Sequence, residues 1–287
     1  MNPPQNPIRV LITGGTSGIG RQTAIALAKQ GAEVILTSRN ESRGTQAAEE
    51  IRRMTGNPRV TSLVLDLGTL ASVRSAAAQI TDQYPTLDVL INNSGILRMK
   101  REVSADGFEL NLAVNFLGPF LFTLLLLKPL RAAPKARIVM LASDAHFKGR
   151  LDFSDLQFTK GYQWLKAYGA SKLAVVAFTL SLSRRLARST TTINCLHPGM
   201  ARTHIWPRAT FGERLFSNFV GLFAVRDTVA AAQVLSLAVG SKVEGRSGLY
   251  FDRDRETAPS PQATDPALQD RLWQWSTQAA GMVAGDV

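Results

Sequence analysis

The stretch R-V-L-I-T-G-G-T-S-G-I-G, Arg9 to Gly20, decides the fold. A short apolar run from Ile8 to Thr13 ends in glycines. Gly18 to Lys29 then shows helical periodicity through Ile19, Thr23, Ile25, Leu27 and Ala28. That is a strand, a tight turn and a helix. Gly14, Gly18 and Gly20 are spaced G-x-x-x-G-x-G. Such glycines turn the backbone tightly, admit a pyrophosphate close to it and aim amides at that group from a helix N-terminus. A bare glycine-rich turn is an ordinary strand-to-helix loop, but after the first strand of a β-α-β unit it reads as a dinucleotide site.

The unit recurs outward from there. Glu33 to Ser38 precedes a helix over Glu41 to Met54, and Val60 to Leu65 precedes one over Leu70 to Tyr84. Leu87 to Asn92 is a fourth strand, followed by a long helix from about Gly107 to Leu130. Ala136 to Ala142 is a fifth strand, about Tyr162 to Arg188 a helix, and Thr191 to Leu196 a sixth strand. A helix over Asp227 to Val239 with Asp227 as its cap, a strand over Gly248 to Asp252 and a closing helix over Pro266 to Ala280 complete the pattern. Apolar strands between amphipathic helices predict an α/β fold: a doubly wound, Rossmann-like parallel sheet with helices on both faces. No linker, repeat or low-complexity tract divides residues 1–287, so one domain is the simplest account.

Composition narrows the function classes. At 45% hydrophobic content and a mean hydropathy near zero, the chain reads as a soluble protein with a sizeable core. Its single cysteine, Cys195, sits in the strand-like run T-I-N-C-L as an inert thiol and excludes an internal disulfide. M-N-P-P-Q-N-P lacks the features of a signal peptide, so a cytoplasmic location is expected. The apolar run Phe116 to Leu127 is interrupted by Gly118 and Pro119, well short of the roughly 20 residues of a membrane span. A net charge of +11 raises anionic partners, yet the basic residues are scattered short clusters, which argues against specific nucleic-acid binding.

The second strand ends at Ser38 and Arg39, where a fold preferring NAD would carry an acidic residue for the ribose 2′-hydroxyl. Arg39 instead suits a 2′-phosphate and favours NADP(H) over NAD, with Ser17 and Ser38 as hydrogen-bonding partners; its other reading is a solvated surface residue. Thr16 and Ile19 complete the glycine turn. Asp66 and Leu67 follow the third strand where the adenine would rest, and Asn93 and Gly95 close the fourth beneath the pyrophosphate side. All lie at carboxyl ends of parallel strands, where such sheets bind ligands.

In Y-G-A-S-K, Tyr168 and Lys172 are four positions apart and share a helix face. A nearby ammonium favours a phenolate, so Lys172 is expected to lower the Tyr168 pKa from about 10 toward working pH. T-G-G-T-S-G-I-G, N-N-S-G, Y-G-A-S-K and H-P-G-M-A-R-T together resemble, in order and over essentially the whole chain, the short-chain dehydrogenase/reductase family. L-A-S-D-A-H-F, L-D-F-S-D-L, L-H-P-G-M-A-R-T and S-P-Q-A look most like its retinol dehydrogenase-like or WW-domain-oxidoreductase-like subgroup. Ser94 departs from the alanine often found there.

The resemblance implies a catalytic tetrad of Asn115, Ser143, Tyr168 and Lys172. Ser143 would hydrogen-bond a substrate carbonyl, Tyr168 would exchange the proton, Lys172 would also bind the nicotinamide ribose, and Asn115 would hold a water linking Lys172 to solvent. Pro198 and Gly199 bend the chain after the sixth strand, and Thr203 matches the family's contact to the nicotinamide carboxamide. His197 reads as structural. His146 and His204 lack a metal-ligand partner at useful spacing, so no metal is assigned.

Residues 197–225 form a long connection of the kind that covers a site. Phe211, Leu215, Phe219 and Phe223 recur at i, i+4, with Phe216, Val220 and Trp206 adding apolar surface and Arg208, Arg214 and Arg226 nearby. Substrate lid, peripheral membrane contact through 206–225 and core packing are the competing readings, the lid preferred. The activity expected is NADP(H)-dependent interconversion of an apolar aldehyde or ketone and its alcohol, with a small apolar carbonyl or alcohol as substrate. Retinal belongs to that class, but a subgroup name is not evidence for it. The alternative is an NADP-binding regulatory or scaffold protein of the same fold without turnover. The resemblance also suggests a homo-oligomer through the helices of Asn115 and Tyr168, whose apolar faces could equally be covered within one chain.

Overall fold

The structure, a computed structural model, describes residues 7–199 and 226–282. The strands are β1 (Arg9–Ile12), β2 (Glu33–Ser38), β3 (Val60–Val64), β4 (Val89–Asn92), β5 (Arg137–Leu141), β6 (Thr192–His197), β7 (Tyr250–Asp252) and β8 (Arg255–Glu256). They form one sheet in the order β3-β2-β1-β4-β5-β6-β7-β8. Every pairing is parallel except β7 with β8, a short antiparallel edge absent from the sequence reading. The chain winds outward from β1 to β3, then crosses back to place β4 on the other side of β1. That reversal opens a crevice at the carboxyl ends of β1 and β4.

Helices cover both faces: α1 (Gly18–Lys29), α2 (Glu41–Thr55), α3 (Leu70–Gln83), α4 (Leu110–Leu125), α5 (Leu127–Ala132), α6 (Trp164–Arg185), α7 (Asp227–Ala238), α8 (Pro261–Thr264) and α9 (Pro266–Ala279). Alternation along each strand divides the core. Val10, Ile12, Val34, Leu36, Val89 and Ile91 face α1, α2 and α7, whereas Leu11, Ile35, Leu90 and Ile138 face α3, α4, α6 and α9. On the second face Phe120 stands 5.1 Å from Phe178 and 5.5 Å from Trp273 of α9. The closing helix thus covers the aromatic face shared by α4 and α6 within this chain. By length and composition α6 could cross a membrane, yet it is mostly buried in the core.

The helix expected over Gly107 to Leu130 is divided. Gly107 has φ +85° in a turn that brings Val103 opposite Glu109, so the right-handed helix begins only at Leu110. Within α4, Ala113–Leu117 forms a π turn. Pro119 donates no N–H, so a carbonyl one turn earlier loses its α partner and the ladder widens there. The helix expected from Tyr162 to Arg188 runs from Trp164 to Arg185, and Tyr162 lies in the preceding loop.

Beyond His197, Pro198 and Gly199, the expected lid lies outside the described residues. So do Thr203, His204, Trp206, Arg208, Arg214, the apolar series Phe211 to Phe223 and the suggested membrane contact through 206–225.

Candidate functional site

The crevice beside β1 is built first by a backbone staple. Thr13 Oγ1 accepts from the amides of Asn93 and Ser94, each at 3.0 Å, while Asn93 Nδ2 donates to the carbonyls of Thr13 at 2.8 Å and Gly14 at 3.2 Å. The segment after β4 therefore fixes the glycine turn after β1. A Cβ on Gly20 would come within 2.5 Å of both Asn93 Nδ2 and the Gly14 carbonyl oxygen, so α1 can start this close to the turn only with glycine there. Ser17 is exposed at the start of α1, and helix geometry leaves the first amides behind it without helical acceptors. Together these features form a cradle suited to an anionic pyrophosphate.

Ser38 and Asp66, with Leu67, follow the carboxyl ends of β2 and β3 on the same side of the sheet. Ser38 Oγ accepts from the Asn40 amide at 3.2 Å and Asp66 Oδ1 from the Gly68 amide at 2.9 Å, whereas Arg39 is exposed.

Asn115 lies in the π turn of α4 and is buried. Its Oδ1 accepts from the Ile96 amide at 2.7 Å, and its Nδ2 donates to the Ile96 carbonyl at 3.0 Å and Ser171 Oγ at 3.0 Å. Asn115 clamps the segment carrying Gly95 and, through Ser171, reaches the Tyr168 carbonyl, to which Ser171 Oγ donates at 2.7 Å.

Ser143 follows β5 and faces α6 because two glycines meet there: a Cβ on Gly149 would run into the Gly169 carbonyl oxygen. The half-buried Tyr168 has its hydroxyl close enough to Ser143 for that side chain to act on the phenol. Lys172 Nζ lies 5.8 Å from the centroid of the Tyr168 ring and donates to the Leu141 carbonyl at 2.9 Å. The electrostatics correct the sequence reading. Burial pushes the Tyr168 phenol up to about 12, partly opposed by the nearby Ser143 hydroxyl and reinforced by the charge of Asp144. Burial also lowers Lys172 to about 8. Desolvation is the largest influence on both groups.

A measurable pH dependence follows. Lys172 releases its proton in the folded protein at lower pH than in the unfolded chain, whose value is near 10.5. The unfolded state therefore binds more protons in that interval, and stability contributed at this site rises as pH climbs from about 8 to 10.5. Lys172→Met should flatten this part of the stability-versus-pH curve in denaturant titrations. An unchanged slope would show that Lys172 is not desolvated.

Both described histidines sit beside Ser143. His146 is buried: its Nδ1 is 2.7 Å from the Ser143 carbonyl, and its Nε2 accepts from the Ser260 amide at 3.2 Å. That pairing assigns the neutral ring with its proton on Nδ1, consistent with burial lowering its pKa. His197 ends β6 and is likewise held neutral by burial. Cys195 is buried and its thiol is pushed up to about 12, as befits an inert core residue. No metal-ligating cluster occurs among the described residues. Sequence reasoning missed Ser171, Asp144 and a buried group around Glu109. The available signal was the run of polar residues Glu109, Asn111 and Asn115 opening an otherwise apolar helix.

A model described as short chain dehydrogenase matches residues 9–211. Retinol dehydrogenase 13 of Mus musculus is 43% identical over 279 residues, covering 95% of this chain and 84% of its own length. Polyprenol dehydrogenase of Mus musculus is 38% identical, covering 99% and 87%. Among solved structures, an uncharacterised protein from Mycobacterium Paratuberculosis superposes with a TM-score of 0.75 at 30% identity, covering 97% of this chain and 96% of that one. A short chain dehydrogenase from Escherichia coli CFT073, complexed with NADPH, superposes with a TM-score of 0.69 at 25% identity, covering 87% and 98%.

Proposed function

Because the chain belongs to the short-chain dehydrogenase family, in its retinol dehydrogenase-like branch, we propose that it is an NADP(H)-dependent oxidoreductase interconverting an apolar aldehyde or ketone and its alcohol. The observation that carries this reading is the convergence of Ser143, just after β5, with Tyr168 and Lys172 of α6, whose Nζ lies 5.8 Å from the Tyr168 ring, at the carboxyl edge of the sheet. The cradle of Gly14 to Gly20, with Asn93 and Gly95, would hold the pyrophosphate. Asp66 and Leu67 would flank the adenine, and Pro198, Gly199 and Thr203 the nicotinamide end. When bound, the nicotinamide supplies or accepts hydride. Ser143 orients the substrate oxygen by a hydrogen bond, and Tyr168 delivers the phenolic proton to that oxygen in reduction or takes the alcohol proton in oxidation. Lys172, held by the Leu141 carbonyl, would also hold the nicotinamide ribose. Asn115 fixes Ile96 and the turn carrying Tyr168.

An apolar substrate is supported by relatives named retinol dehydrogenase and polyprenol dehydrogenase. NADP rather than NAD is supported by Arg39 after β2, by the absence of an acidic residue at Ser38 or Arg39, and by the NADPH complex of the Escherichia coli relative. Arg39→Ala should weaken NADPH binding by about 10- to 100-fold, the worth of a charge-assisted hydrogen bond, while leaving NADH binding nearly unchanged. Equal affinities in variant and parent would remove Arg39 from the cofactor site. The test of function is a panel of aliphatic, aromatic and isoprenoid aldehydes and alcohols with NADPH, NADH and their oxidised forms. Turnover with NADPH and an apolar aldehyde is expected. Tight NADPH binding without turnover on any panel member would favour a cofactor-binding regulatory or scaffold protein instead.

A further inference from the structure

Ser143 opens a turn, Asp144–Lys148, that is anchored on two sides. Toward α6 the backbones of Gly149 and Gly169 meet without room for a side chain. On the other side the anchor is one imidazole. His146 is wholly buried, with Nδ1 2.7 Å from the Ser143 carbonyl oxygen and Nε2 3.2 Å from the Ser260 amide nitrogen. A backbone amide only donates, so Nε2 accepts and the single ring proton sits on Nδ1, directed at Ser143. Ser260 is itself buried immediately before α8. The rings of Phe147, at 4.0 Å, and of Tyr250 in β7, at 4.7 Å between centroids, pack beside the imidazole. Both nitrogens are thus engaged, one by the backbone of the serine and the other by a segment 114 positions away.

We infer that His146 is a positioning residue for the reaction: in its neutral form it ties the backbone of Ser143 to the C-terminal segment at Ser260, and so fixes where the serine hydroxyl meets a substrate oxygen. For the role of Ser143 this rests on the oxidoreductase reading above. The same geometry makes the tie sensitive to acid. A proton added at Nε2 would set the N–H of the ring against that of Ser260, and would place a charge in a buried site.

The groups around the ring decide where that happens. From its own turn, Asp144 favours the charged ring, as does the bond to the Ser143 carbonyl, while Lys148 is exposed. From β6, His197 opposes the charge. From β7 come Tyr250 and Asp252, and from α6 Tyr168 and Lys172; of these, Asp252 and Lys172 act on His197. Helix α8, P-Q-A-T, carries no titratable side chain. Burial is the largest influence, so the ring takes up its proton only below its ordinary value of 6.5.

In the parent, kcat for carbonyl reduction should fall on the acid side of pH 6.5, under conditions where circular dichroism shows the chain still folded. His146→Phe removes both bonds and should lower kcat at about pH 8 on the order of tenfold, the effect of a displaced orienting group. His146→Asn keeps an N–H within reach of the Ser143 carbonyl and should recover most of that loss. Neither variant should show the acid limb, whereas His197→Asn should keep it. NADPH affinity, set at the glycine cradle, should stay near parental in both His146 variants. By NMR of the parent, the carbon-13 resonance of the His146 ring and the nitrogen-15 resonance of the Ser260 amide should titrate together, with the midpoint of the kinetic limb. An acid limb that persists in His146→Asn or disappears in His197→Asn, parental kcat in His146→Phe, or a Ser260 amide that ignores the His146 titration would each overturn the inference. If a variant fails to fold, the two parental resonances and the limb decide the matter. A parent that turns over no carbonyl would defeat the oxidoreductase reading instead, with the Ser260 response still testing the tie.

Discussion

Tyr168→Phe is expected to lower kcat for every accepted carbonyl by about 10³-fold, the scale on which a positioned proton donor contributes. The substitution removes one oxygen and leaves the ring beside Lys172, so the π turn at Asn115, the Ser171 bridge and the glycine cradle are untouched. NADPH affinity should change by no more than about threefold, because phosphate binding rests on a different segment of the sheet edge. Steady-state kinetics over the substrate panel, with fluorescence titration of NADPH, separates the two quantities. The loss should appear in kcat and in kcat/KM alike, the pattern for an interaction realised in the transition state. Retention of even a tenth of parental kcat would exclude Tyr168 as the proton donor.

The second large effect is structural. Glu109 is fully buried and caps α4: it accepts from the Leu112 amide and Asn111 Nδ2, each at 2.7 Å, and lies 3.2 Å from the Tyr162 hydroxyl. Tyr162 also reaches the Arg98 carbonyl at 2.8 Å, and Asn111 Oδ1 accepts from the Arg98 amide at 2.9 Å. This group ties the segment after β4 and the start of α4 to the loop leading into α6, elements that carry Gly95, Asn115 and Tyr168. Glu109→Ala would leave the Leu112 amide and one N–H of Asn111 buried without their acceptor, while Tyr162 keeps the Arg98 carbonyl, at about 1–3 kcal/mol for each lost partner and an expected total of roughly 2–5 kcal/mol. For a chain this long, that corresponds to a fall in Tm on the order of 10 °C by calorimetry. Glu109→Gln, which keeps one acceptor oxygen, should fall between variant and parent. A Tm for Glu109→Ala within about 2 °C of the parent would mean that water replaces the carboxylate at little cost.

The Glu109 group could not be read from the chain alone. Its member Tyr162 is expected inside a helix from the sequence but lies in the loop before Trp164. The Tyr168 and Lys172 pair was legible because four positions in a helix bring two side chains together. The direction of the phenol's shift was not, because desolvation depends on what β5, β6 and α4 bury around it. Asn115 was recognised as part of a site, yet its partners Ile96 and Ser171 emerged only once α4 was packed against α6.

The sequence by itself determined the wound sheet, its order of strands and helices, and the edge on which a dinucleotide could lie. Those follow from apolar alternation and from glycines where a side chain would obstruct the turn, both properties of neighbouring residues. Only the tertiary structure decided why α4 widens into a π turn beside the site and how the histidine after Ser143 is held by an amide 114 positions away. Hydrogen bonds between distant segments and the loss of water around them set those features, and neither is a property of any stretch of chain taken alone.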